Sequence, residues 1–484
     1  MGTGVSDKYP DGTAYYQNKK QNYASVVNTD RLDWTWDNQI DFTKTWGNHR
    51  LGAMGLFSMY RTDKETYTQS VTNISDDRLS YHAMEKGAKN QATKSSYTES
   101  SMVSVAARLN YAYKERYMAT VTVRADASSR FAKGNRWGWF PSAALAWRMS
   151  EEDFLKDVEW LDNLKLRVSY GTSGSDNIDA SLWRETWKTK QITVDGEKVT
   201  TYVPGEMKGN PDLKWETTIS RNLGVDFGFF NNWVRGSLDY YWNTTKNILM
   251  KVPIDAASGY SYQFQNVGKT SNKGIELALG FDIVRGKDFN LGVNLTYNYN
   301  KNNIDELMDG VLADTRAMND WGSSMAKPAY DYIIREGHPV GTIQGFKSEG
   351  YYTIDDFTYA DGKYTLKPGI PDIQGIVNYP DGVKVLAADG QTAVPGMPKF
   401  ADTTGNGVVD EDDKTIIGEA MPQHTGGFTI NGNWKAIDFS VGFTYQIGGD
   451  VYNANAMHSL MGNKDNSAGQ NRLKFVSETF KSVS

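Results

Sequence analysis

The stretch DLKWETTISRNLGVDFGFFNNWVRGSLDYYWNTTKNIL, from Asp212 to Leu249, decides the fold. On both sides of Asn231 and Asn232, apolar residues alternate with polar residues and glycine. Alternation with a period of two places the apolar residues on one face of a β-strand, and asparagine tolerates the positive φ angles of a tight turn. The stretch therefore predicts a β-hairpin with one apolar and one polar face. The predicted apolar face consists of Leu223, Val225, Phe227, Phe229, Val234, Gly236, Leu238, Tyr240 and Trp242.

The same hairpin unit recurs from about residue 34 to about residue 446, and about 14 strands are predicted. Many of them run for about 10–13 residues, which is longer than the usual strand of about 5–6. Connections alternate between short turns and long segments, and the long ones include 61–100, 173–212 and 348–425. Residues 1–33 are expected to form a polar loop or a partial strand, and residues 447–484 a polar loop. The predicted strands are 34–46, 49–60, 103–113, 119–127, 139–147, 164–172, 223–229, 234–242, 273–283, 289–300, 329–335, 341–347, 427–434 and 437–446.

One segment between two predicted strands carries helical signals. Ser150-Glu151-Glu152-Asp153 offers Ser150 as an N-cap, places Asp153 near the capping-box position and puts acids in the first turn. We therefore expect a short helix over residues 150–161, on the side of the short turns.

The composition excludes several classes of protein. The 484 residues carry a formal net charge of −6 and no basic block, which argues against nucleic acid as a partner. There is no cysteine, so a disulfide framework and a zinc–thiolate site are excluded. The sequence contains no run of about 18 apolar residues, so no transmembrane helix is predicted. The N-terminal residues lack the basic start and apolar core of a signal peptide, which leaves either a cytoplasmic protein or a chain whose true beginning is absent.

Long strands, alternating connections and a polar strand face have to be explained together. A two-sheet sandwich would have shorter strands and similar loops at both ends. A transmembrane antiparallel β-barrel fits all three, because its apolar face meets lipid and its polar face lines a wet interior. About eleven residues at ~3.3 Å each and a tilt of ~40° span roughly 28 Å, which suits the apolar band of such barrels. Only a closed barrel satisfies strand backbones in lipid.

Tyrosine and tryptophan near the predicted strand ends suit the interfacial girdles of such a barrel. These residues are Trp34, Trp46, Tyr111, Tyr113, Trp233, Trp242 and Tyr299. In outer-membrane barrels the short turns face the periplasm and the long loops face outside. The helix at 150–161 is accordingly expected in the periplasm, and the long segments outside the cell.

Several segments resemble the SusC/RagA family of TonB-dependent outer-membrane transporters. The longest is RFAKGNRWGWFPS at 130–142, which is similar to the family's run of arginine-phenylalanine, glycine and phenylalanine-proline-serine. The others are AWR at 146–148, LKLRVSYG at 164–171 with Asn177, NPDLKWE at 210–216, NKGIE at 272–276, Asp402–Asp413 and Ile417-Gly418. They follow the family's order and cover most of residues 30–450.

The resemblance implies a parent chain about twice as long, with an N-terminal signal, a small β domain, a TonB-contacting segment, a plug and a barrel of about 22 strands. Residues 34–446 would be a segment of that barrel, located in the outer membrane, with the plug domain absent. The family pairs with a SusD-like surface lipoprotein, so the resemblance also implies a docking surface on the long outer loops. Catalytic residues are not expected.

Residues 402–413 also resemble a calcium-binding loop, with Gly407 at the turn position. The candidate ligands are Asp402, Thr404, Asn406, the Val408 carbonyl, Asp410 and Asp413. Oxygen ligands at alternating spacing suit Ca²⁺. Two residues depart from the pattern, since Thr404 replaces an acid or amide and Asp413 replaces a longer bidentate glutamate. The alternative is a tight Asp/Gly turn that packs Val409 inward.

Other candidate sites are weaker. The histidines at 49, 82, 338, 424 and 458 show no paired spacing, so no transition-metal site is predicted. Trp137 and Trp139 are interpreted as girdle residues rather than as a sugar-stacking pair. The loop residues Trp183, Trp187 and Trp321 are better candidates for stacking on a sugar, although the sequence assigns none of them a role.

Three functions are compared. The leading one is an importer of oligosaccharides or peptides, energised through TonB and acting with the SusD-like lipoprotein. The second is a surface glycan-binding protein or adhesin without transport, which would also lack the plug and the TonB-contacting segment; coding sequence for them upstream would distinguish the two. The third is a glycan-active all-β enzyme, which requires a pair of carboxylates on facing strands, and none can be picked out from the sequence.

Overall fold

The computed structural model describes residues 4–8, 14–18, 23–74, 80–307, 332–373 and 391–451. Within these ranges the regular structure is β-strand, interrupted by short 3₁₀ turns. No helix in the described ranges has the length and apolar character needed to cross a membrane.

Twelve of the described strands form one sheet, in which each strand is the neighbour of the next along the chain. The registered pairs are antiparallel, as the hairpin pattern predicts. We number these strands β1 (Tyr23–Trp46), β2 (His49–Ile74), β3 (Gly87–Tyr113), β4 (Tyr117–Ser128), β5 (Trp137–Arg148), β6 (Leu161–Ser175), β7 (Glu216–Phe229), β8 (Val234–Lys246), β9 (Lys269–Arg285), β10 (Phe289–Glu306), β11 (His424–Trp434) and β12 (Ile437–Ile447).

The chain divides into two compact units, which we describe separately. The first unit contains Met1–Trp147, Ser169–Ile219 and Asn247–Asn266. The second unit contains Arg148–Val168, Ser220–Lys246 and Val267–Ser484.

In the first unit, β1, β2 and β3 are 24, 26 and 27 residues long. The β1–β2 pairing runs without a break from Trp46↔His49 to Tyr23↔Thr72. The prediction of a loop at 61–100 is therefore wrong for most of this range, because β2 continues to Ile74 and β3 begins at Gly87. Both faces of these extensions carry polar residues, so the period-two signal that marks a strand is lost there.

Smaller strands lie in the long connections. The first unit has the hairpin Trp187–Val194 with Glu197–Pro204 and a three-stranded sheet of Met207–Lys208, Tyr262–Asn266 and Leu249–Pro253. Gly4–Lys8 pairs with Ala14–Asn18. In the second unit, Tyr332–Ile333, Thr342–Gly345 and Thr415–Glu419 form a separate sheet. This sheet contains the two weak strands predicted at 329–335 and 341–347, which accounts for twelve strands in the main sheet where about 14 are predicted.

The long connection predicted at 348–425 contains a folded module. Its strand pairs are Ser348–Tyr351 with Pro398–Phe400, Phe357–Ala360 with Lys363–Leu366, and Asp372–Ile373 with Val408–Val409. Its core is formed by Tyr352, Phe357, Ile373, Ala393 and Met397, all at least nine-tenths buried. Asp372 supports this core, since its carboxylate accepts hydrogen bonds from the backbone amides of Thr392 and Ala393.

The helix predicted at 150–161 is not formed. A 3₁₀ turn covers Met149–Glu151, and isolated turns follow as far as Leu161. Ser150 does not act as an N-cap, because its hydroxyl is buried without a hydrogen-bond partner among the described residues. Phe154 and Trp160 are more than half exposed, so the segment has no apolar face against a core, and a helix this short is marginal without one.

Candidate functional site

The polarity of the sheet is inverted relative to a water-soluble sheet. On β4 in the first unit, the side chains of Val121 and Val123 are 50% and 41% exposed, whereas Asp126 is only 5% exposed. A soluble protein buries its valines and exposes its aspartates. We call the face that carries Val121 the outer face and the face that carries Asp126 the inner face.

The same inversion holds in the second unit. On β8, the hairpin residues Leu238 and Tyr240 are 45% and 44% exposed, whereas the side chain of Asp239 between them is only 13% exposed. On the edge strand β12 both faces are exposed, and Val441 and Phe443 share a face with Phe439 and Tyr445. The outer faces in this unit are continuous across strands, since Leu295 of β10 pairs with Phe428 of β11, which pairs with Phe443 of β12. The face assignment made from the opening hairpin is confirmed.

Aromatic side chains form a row across five strands of the first unit at the short-turn end. Ring centroids are 5.6 Å apart for Trp46 and His49, 4.9 Å for His49 and Tyr113, and 6.4 Å for Tyr113 and Tyr117. The row ends at Trp147, 6.5 Å from Tyr117. Tyrosine and tryptophan prefer the level of the lipid headgroups, so this row marks one membrane interface.

A second aromatic group marks the other end of the same strands. Trp137 pairs with Ala127 ten residues before Trp147, on the same face of β5. Ten residues at ~3.3 Å and a tilt of ~40° span roughly 25 Å, the height of the apolar band in outer-membrane barrels. On the outer face of β2, the apolar residues end at Met59. The next outer residue, Arg61, contacts Asp63 at 2.8 Å and Glu99 at 3.2 Å.

The second unit repeats these dimensions. Phe289 pairs with Trp434 at one end of β10 and β11, and Tyr299 pairs with His424 ten residues further on. His424 Nδ1 lies 2.8 Å from the hydroxyl of Tyr297, so polar contacts begin at this level. The predicted girdle residue Tyr299 lies at this end of the band.

The inner face of the second unit contains an ionic cluster that the sequence reading missed. Arg167 Nε donates to both carboxylate oxygens of Asp226 at 3.0 Å, and its Nη2 donates to Asp239 at 2.9 Å. Lys165 Nζ lies 3.1 Å from Asp226. A Cβ atom at Gly224 would clash with Asp239 and Arg167, so this glycine makes room for the cluster. The available signal was the pair of charged residues Lys165 and Arg167, two positions apart on β6.

A different surface lines the inner faces of β10, β11 and β12. It carries amides, hydroxyls and glycines and has no ionisable side chain from Asn290 to Asn302, from Thr425 to Asn433 or from Ser440 to Gln446. We call this surface the neutral strip; its residues are Asn290, Gly292, Asn294, Thr296, Asn298, Asn300, Asn302, Thr425, Gly427, Thr429, Asn431, Asn433, Ser440, Gly442, Thr444 and Gln446.

Several hydrogen bonds join side chains of the neutral strip across strands. Asn290 Nδ2 donates to Asn433 Oδ1 at 2.9 Å, and Ser440 Oγ donates to Asn431 Oδ1 at 2.8 Å. Asn298 Oδ1 is buried and has no hydrogen-bond partner among the described residues. A groove of about 690 Å³ covers the end of the strip nearest the short turns, where its lining also includes the charged residues Arg235, Asp282, Arg285 and Asp438.

Two of the segments that carry the family resemblance, 130–142 and 210–216, meet in the first unit. Trp215 contacts Phe131 and Phe140, with each pair of ring centroids 5.4 Å apart, and its Nε1 donates to the carbonyl of Arg136 at 2.8 Å. Ile178 and Leu213 complete this buried cluster. Gly138 and Gly174 lie against the Phe140 ring, where a Cβ would clash. These motifs therefore hold the connections that follow β4 and β6 against the start of β7.

Arg130 also holds these connections in place. Its Nη1 donates to the backbone carbonyls of Asp176 and Ile178 at 3.2 and 2.9 Å. Asn135 Nδ2 donates to the carbonyl of Pro211 at 3.0 Å. These polar residues of the motifs hold backbone in place.

The structure brings the predicted calcium ligands into one turn, where the carboxylates accept hydrogen bonds from the loop itself. Asp402 accepts from the amides of Gly405 at 2.6 Å and Gly407 at 2.7 Å. Asp413 is fully buried and accepts from the amides of Thr404 and Asp410, both at 2.9 Å. These donors hold the pKa of Asp413 at about 2, with the amide of Asp410 the largest cause.

The remaining predicted ligands lie in the same turn. Asn406 Oδ1 accepts from the amide of Val408, and Asp410 Oδ1 accepts from the amide of Asp412, both at 2.9 Å. Val409 is fully buried beside them, as the alternative of a tight Asp/Gly turn requires. In the described part of the chain, no three acidic or histidine side chains are grouped to hold a metal ion. Calcium binding by this loop stays a prediction.

The loop tryptophans are separated by the structure. Trp187 is 61% exposed at the start of the Trp187–Val194 strand. Trp183 is half-buried, and the guanidinium of Arg184 lies 4.4 Å from its ring centre, which occupies one face of the ring. Trp321 lies outside the described residues. Trp187 is therefore the loop tryptophan with a free surface for a ligand.

Comparison with known proteins places the chain in a family. The model of the TonB dependent receptor-like β-barrel family matches residues 2–473. TonB-dependent receptor P3 of Formosa agariphila is 31% identical over 86% of this chain and 39% of its own length. TonB-dependent receptor SusC of Bacteroides thetaiotaomicron is 30% identical over 76% of this chain and 33% of its own length.

A solved structure agrees with these relatives. The RagAB peptide transporter superposes with a TM-score of 0.66 and 25% identity over 88% of this chain and 42% of the solved chain. The chain thus spans about one-third to two-fifths of the length of these three proteins. Its inverted sheet, its two aromatic levels and its matched residues lead to one conclusion: the chain belongs to the TonB dependent receptor-like β-barrel family of the outer membrane.

Proposed function

We propose that this chain forms part of the wall of an outer-membrane importer of oligosaccharides or peptides, energised through TonB. The observation that carries the proposal is the inverted sheet, with an apolar outer face between two aromatic levels and a hydrogen-bonding inner face. A wall of this kind separates lipid from a polar passage. The family membership supports energised uptake over passive diffusion.

The neutral strip supports the choice of cargo. Its amides and hydroxyls both donate and accept hydrogen bonds, which suits the hydroxyls of a sugar and the backbone of a peptide alike. A cargo chain could slide along such a surface without exchanging ion pairs, each of which is costly to break away from water. A similar solved protein is named the RagAB peptide transporter, which fits the peptide class of cargo.

The proposed partners are TonB and a SusD-like surface lipoprotein. TonB would act through a plug that belongs to the parent protein. The lipoprotein would dock on the long connections, which include the module of residues 348–373 and 391–413 and the extensions of β2 and β3 beyond Arg61. The buried core of the module supports this role, because a docking surface needs a fixed shape.

Uptake in the host organism tests the proposal. The gene that encodes this chain is deleted, and cells receive fluorescently labelled peptides and labelled oligosaccharides in separate cultures. We expect loss of uptake of one cargo class, restored by the intact gene in cells with TonB and absent in cells without it. Uptake that is unchanged by the deletion, or restored without TonB, would refute the importer.

A surface glycan-binding protein is the second candidate. The exposed side chains of Trp187 and Tyr202, on paired strands, support it because a flat aromatic surface binds the apolar face of a sugar ring. The same experiment distinguishes the two functions. A binding protein would retain labelled glycan at the cell surface, with no label in the periplasm.

We propose no enzymatic reaction for the chain. Asp226 and Asp239 are the facing carboxylates that a glycosidase hypothesis would select, and both accept hydrogen bonds from Arg167. A glycosidase needs one carboxylic acid that can give up a proton to the leaving group. Hydrogen bonds from one guanidinium to both carboxylates support a structural role for the pair.

A further inference from the structure

The outer face of the first unit contains an apolar notch of about 540 Å³. Val123 and Ala125 of β4 form its floor, and Ala125 is only 5% exposed. Trp137 and Trp139 of β5 form one wall, and the opposite wall belongs to β3. The Trp139 side chain is 68% exposed, so the wall stands clear of the sheet.

Small residues between large ones create the notch. In one row across the three strands, Ala125 lies between Val105 and Trp139. In the next row, Ala127 pairs with Trp137. The methyl groups of the alanines leave the space that a larger side chain would fill. Outside the notch, the same face of β4 carries Val121, whose larger side chain leaves no such space.

The height of the notch identifies its occupant. It lies inside the apolar band bounded by Trp147 and Trp137, next to the aromatic level at the long-connection end. Water and polar ligands are absent from this depth, and the solvent is hydrocarbon. Of the lining residues, the tryptophans alone carry a polar side-chain group, which suits the headgroup level above the notch.

We propose that the notch binds one acyl chain of a membrane lipid, taken from the leaflet on the long-connection side. The acyl chain lies along β4 over Ala125 and against the Trp139 ring. The headgroup of the lipid emerges at the level of Trp137. This site rests on the outer-membrane placement of the chain and is independent of the proposed transport. It assigns to Ala125 and Trp139 a role in lipid selection rather than in cargo binding.

Native mass spectrometry of the full-length protein, purified with its lipids, tests the site. Ala125→Phe fills the notch, and Ala119→Phe places the same side chain on the same face of β4 outside it. We expect Ala125→Phe to lower lipid retention after detergent washing by about tenfold, and Ala119→Phe to leave it unchanged. Equal retention in the wild type and Ala125→Phe, or equal loss in both variants, overturns the proposal. The mass of the retained lipid separates lipid A from phospholipid.

A second measurement avoids the bulky substitution. The chain has no cysteine, so Ala125→Cys and Ala119→Cys each introduce a single thiol into it. A lipid in the notch shields the thiol of Ala125→Cys from a membrane-permeant reagent. Because Ala125 is only 5% exposed in the protein itself, each variant is compared with itself before and after delipidation. We expect delipidation to speed the reaction of the Ala125→Cys thiol and to leave the reaction of the Ala119→Cys thiol nearly unchanged. An equal gain in both variants, or no gain in Ala125→Cys, contradicts an occupied notch.

Discussion

Arg167 joins β7 and β8 on the inner face through charge-assisted hydrogen bonds to Asp226 and Asp239. Its replacement by alanine leaves two carboxylates with Lys165 as the remaining cation of the cluster. We expect Arg167→Ala to lower the free energy of unfolding by about 2 kcal/mol, since hydrogen bonds to charged groups contribute more than neutral ones. Urea unfolding of the full-length protein in lipid vesicles measures the change.

A matched arginine provides the control for this prediction. Arg50 lies 3.6 Å from Glu115 with both side chains more than half exposed. An exposed pair contributes at most about 1 kcal/mol, so Arg50→Ala should have a small effect. Equal effects of the two substitutions would mean that the inner-face cluster does not support the fold.

Asp413 predicts a pH dependence of the 402–413 loop. Amide donors hold its pKa at about 2 in the folded chain, below the usual value of about 3.9. The ionised carboxylate therefore stabilises the loop above about pH 4, and this contribution is lost as the pH falls through about 2. We expect Asp413→Asn to speed amide hydrogen exchange in the loop at neutral pH, and the difference from the wild type to vanish below about pH 2. The exposed neighbour substitution Asp412→Asn should match the wild type at every pH.

The calcium prediction for the same loop has its own test. Equilibrium dialysis with ⁴⁵Ca²⁺ on the full-length protein should detect binding that Asp402→Asn removes and Asp412→Asn retains. Asp402 occupies the first ligand position, and Asp412 is not among the predicted ligands. Absence of binding to the wild type would leave the hydrogen-bonded turn as the whole role of the loop.

At the scale of elements, the turn between β1 and β2 depends on backbone conformation. Gly47 has a φ of 53°, and no atom lies within 4 Å of the position a Cβ would take. Gly55 on β2 has the same free space without the positive φ. We expect Gly47→Ala to destabilise the protein by about 1 kcal/mol and Gly55→Ala to have almost no effect, because the left-handed region is costly for residues with a Cβ. Urea unfolding of both variants tests this, and equal effects would assign the cost to something other than φ.

The sequence predicts those elements whose two faces differ. The opening hairpin was correct to its turn, where Asn231 and Asn232 adopt φ values of 57° and 55°. The extensions of β2 and β3 were missed because both of their faces are polar. The helix at 150–161 was predicted from capping signals alone, without an apolar stripe to bury. The core of the loop module depends on contacts between distant residues such as Tyr352 and Met397, which no local pattern reveals.

At the scale of the whole molecule, the inner face was predicted as a polar lining, while its division into an ionic cluster and a neutral strip was not. The alternation in β10 places Asn290 and its successors on one face. Register then decides which of them meet, and Asn290 meets Asn433 across a separation of 143 residues. Arg167 likewise reaches Asp226 and Asp239 across neighbouring strands. Pairing of this kind follows from strand register, which the sequence pattern alone leaves open.

The inverted sheet predicts opposite outcomes for two adjacent residues of β4. Val121 lies on the outer face near the middle of the apolar band, and Thr120 lies on the inner face, where its hydroxyl donates to Asn110. Val121→Lys places a charge in hydrocarbon and should cost about 2–4 kcal/mol of folding free energy in lipid vesicles, whereas Thr120→Lys keeps its charge in the polar lumen and should cost much less. A soluble sheet that buried the same face in a core would give the same order, so the comparison is extended along the face to Tyr117, which lies in the aromatic row. If this face meets lipid, Tyr117→Lys should cost only about 0–1 kcal/mol, because the cost of a charge falls from the middle of the bilayer to its interface. A cost at Tyr117 as large as the cost at Val121 would contradict a lipid-facing side.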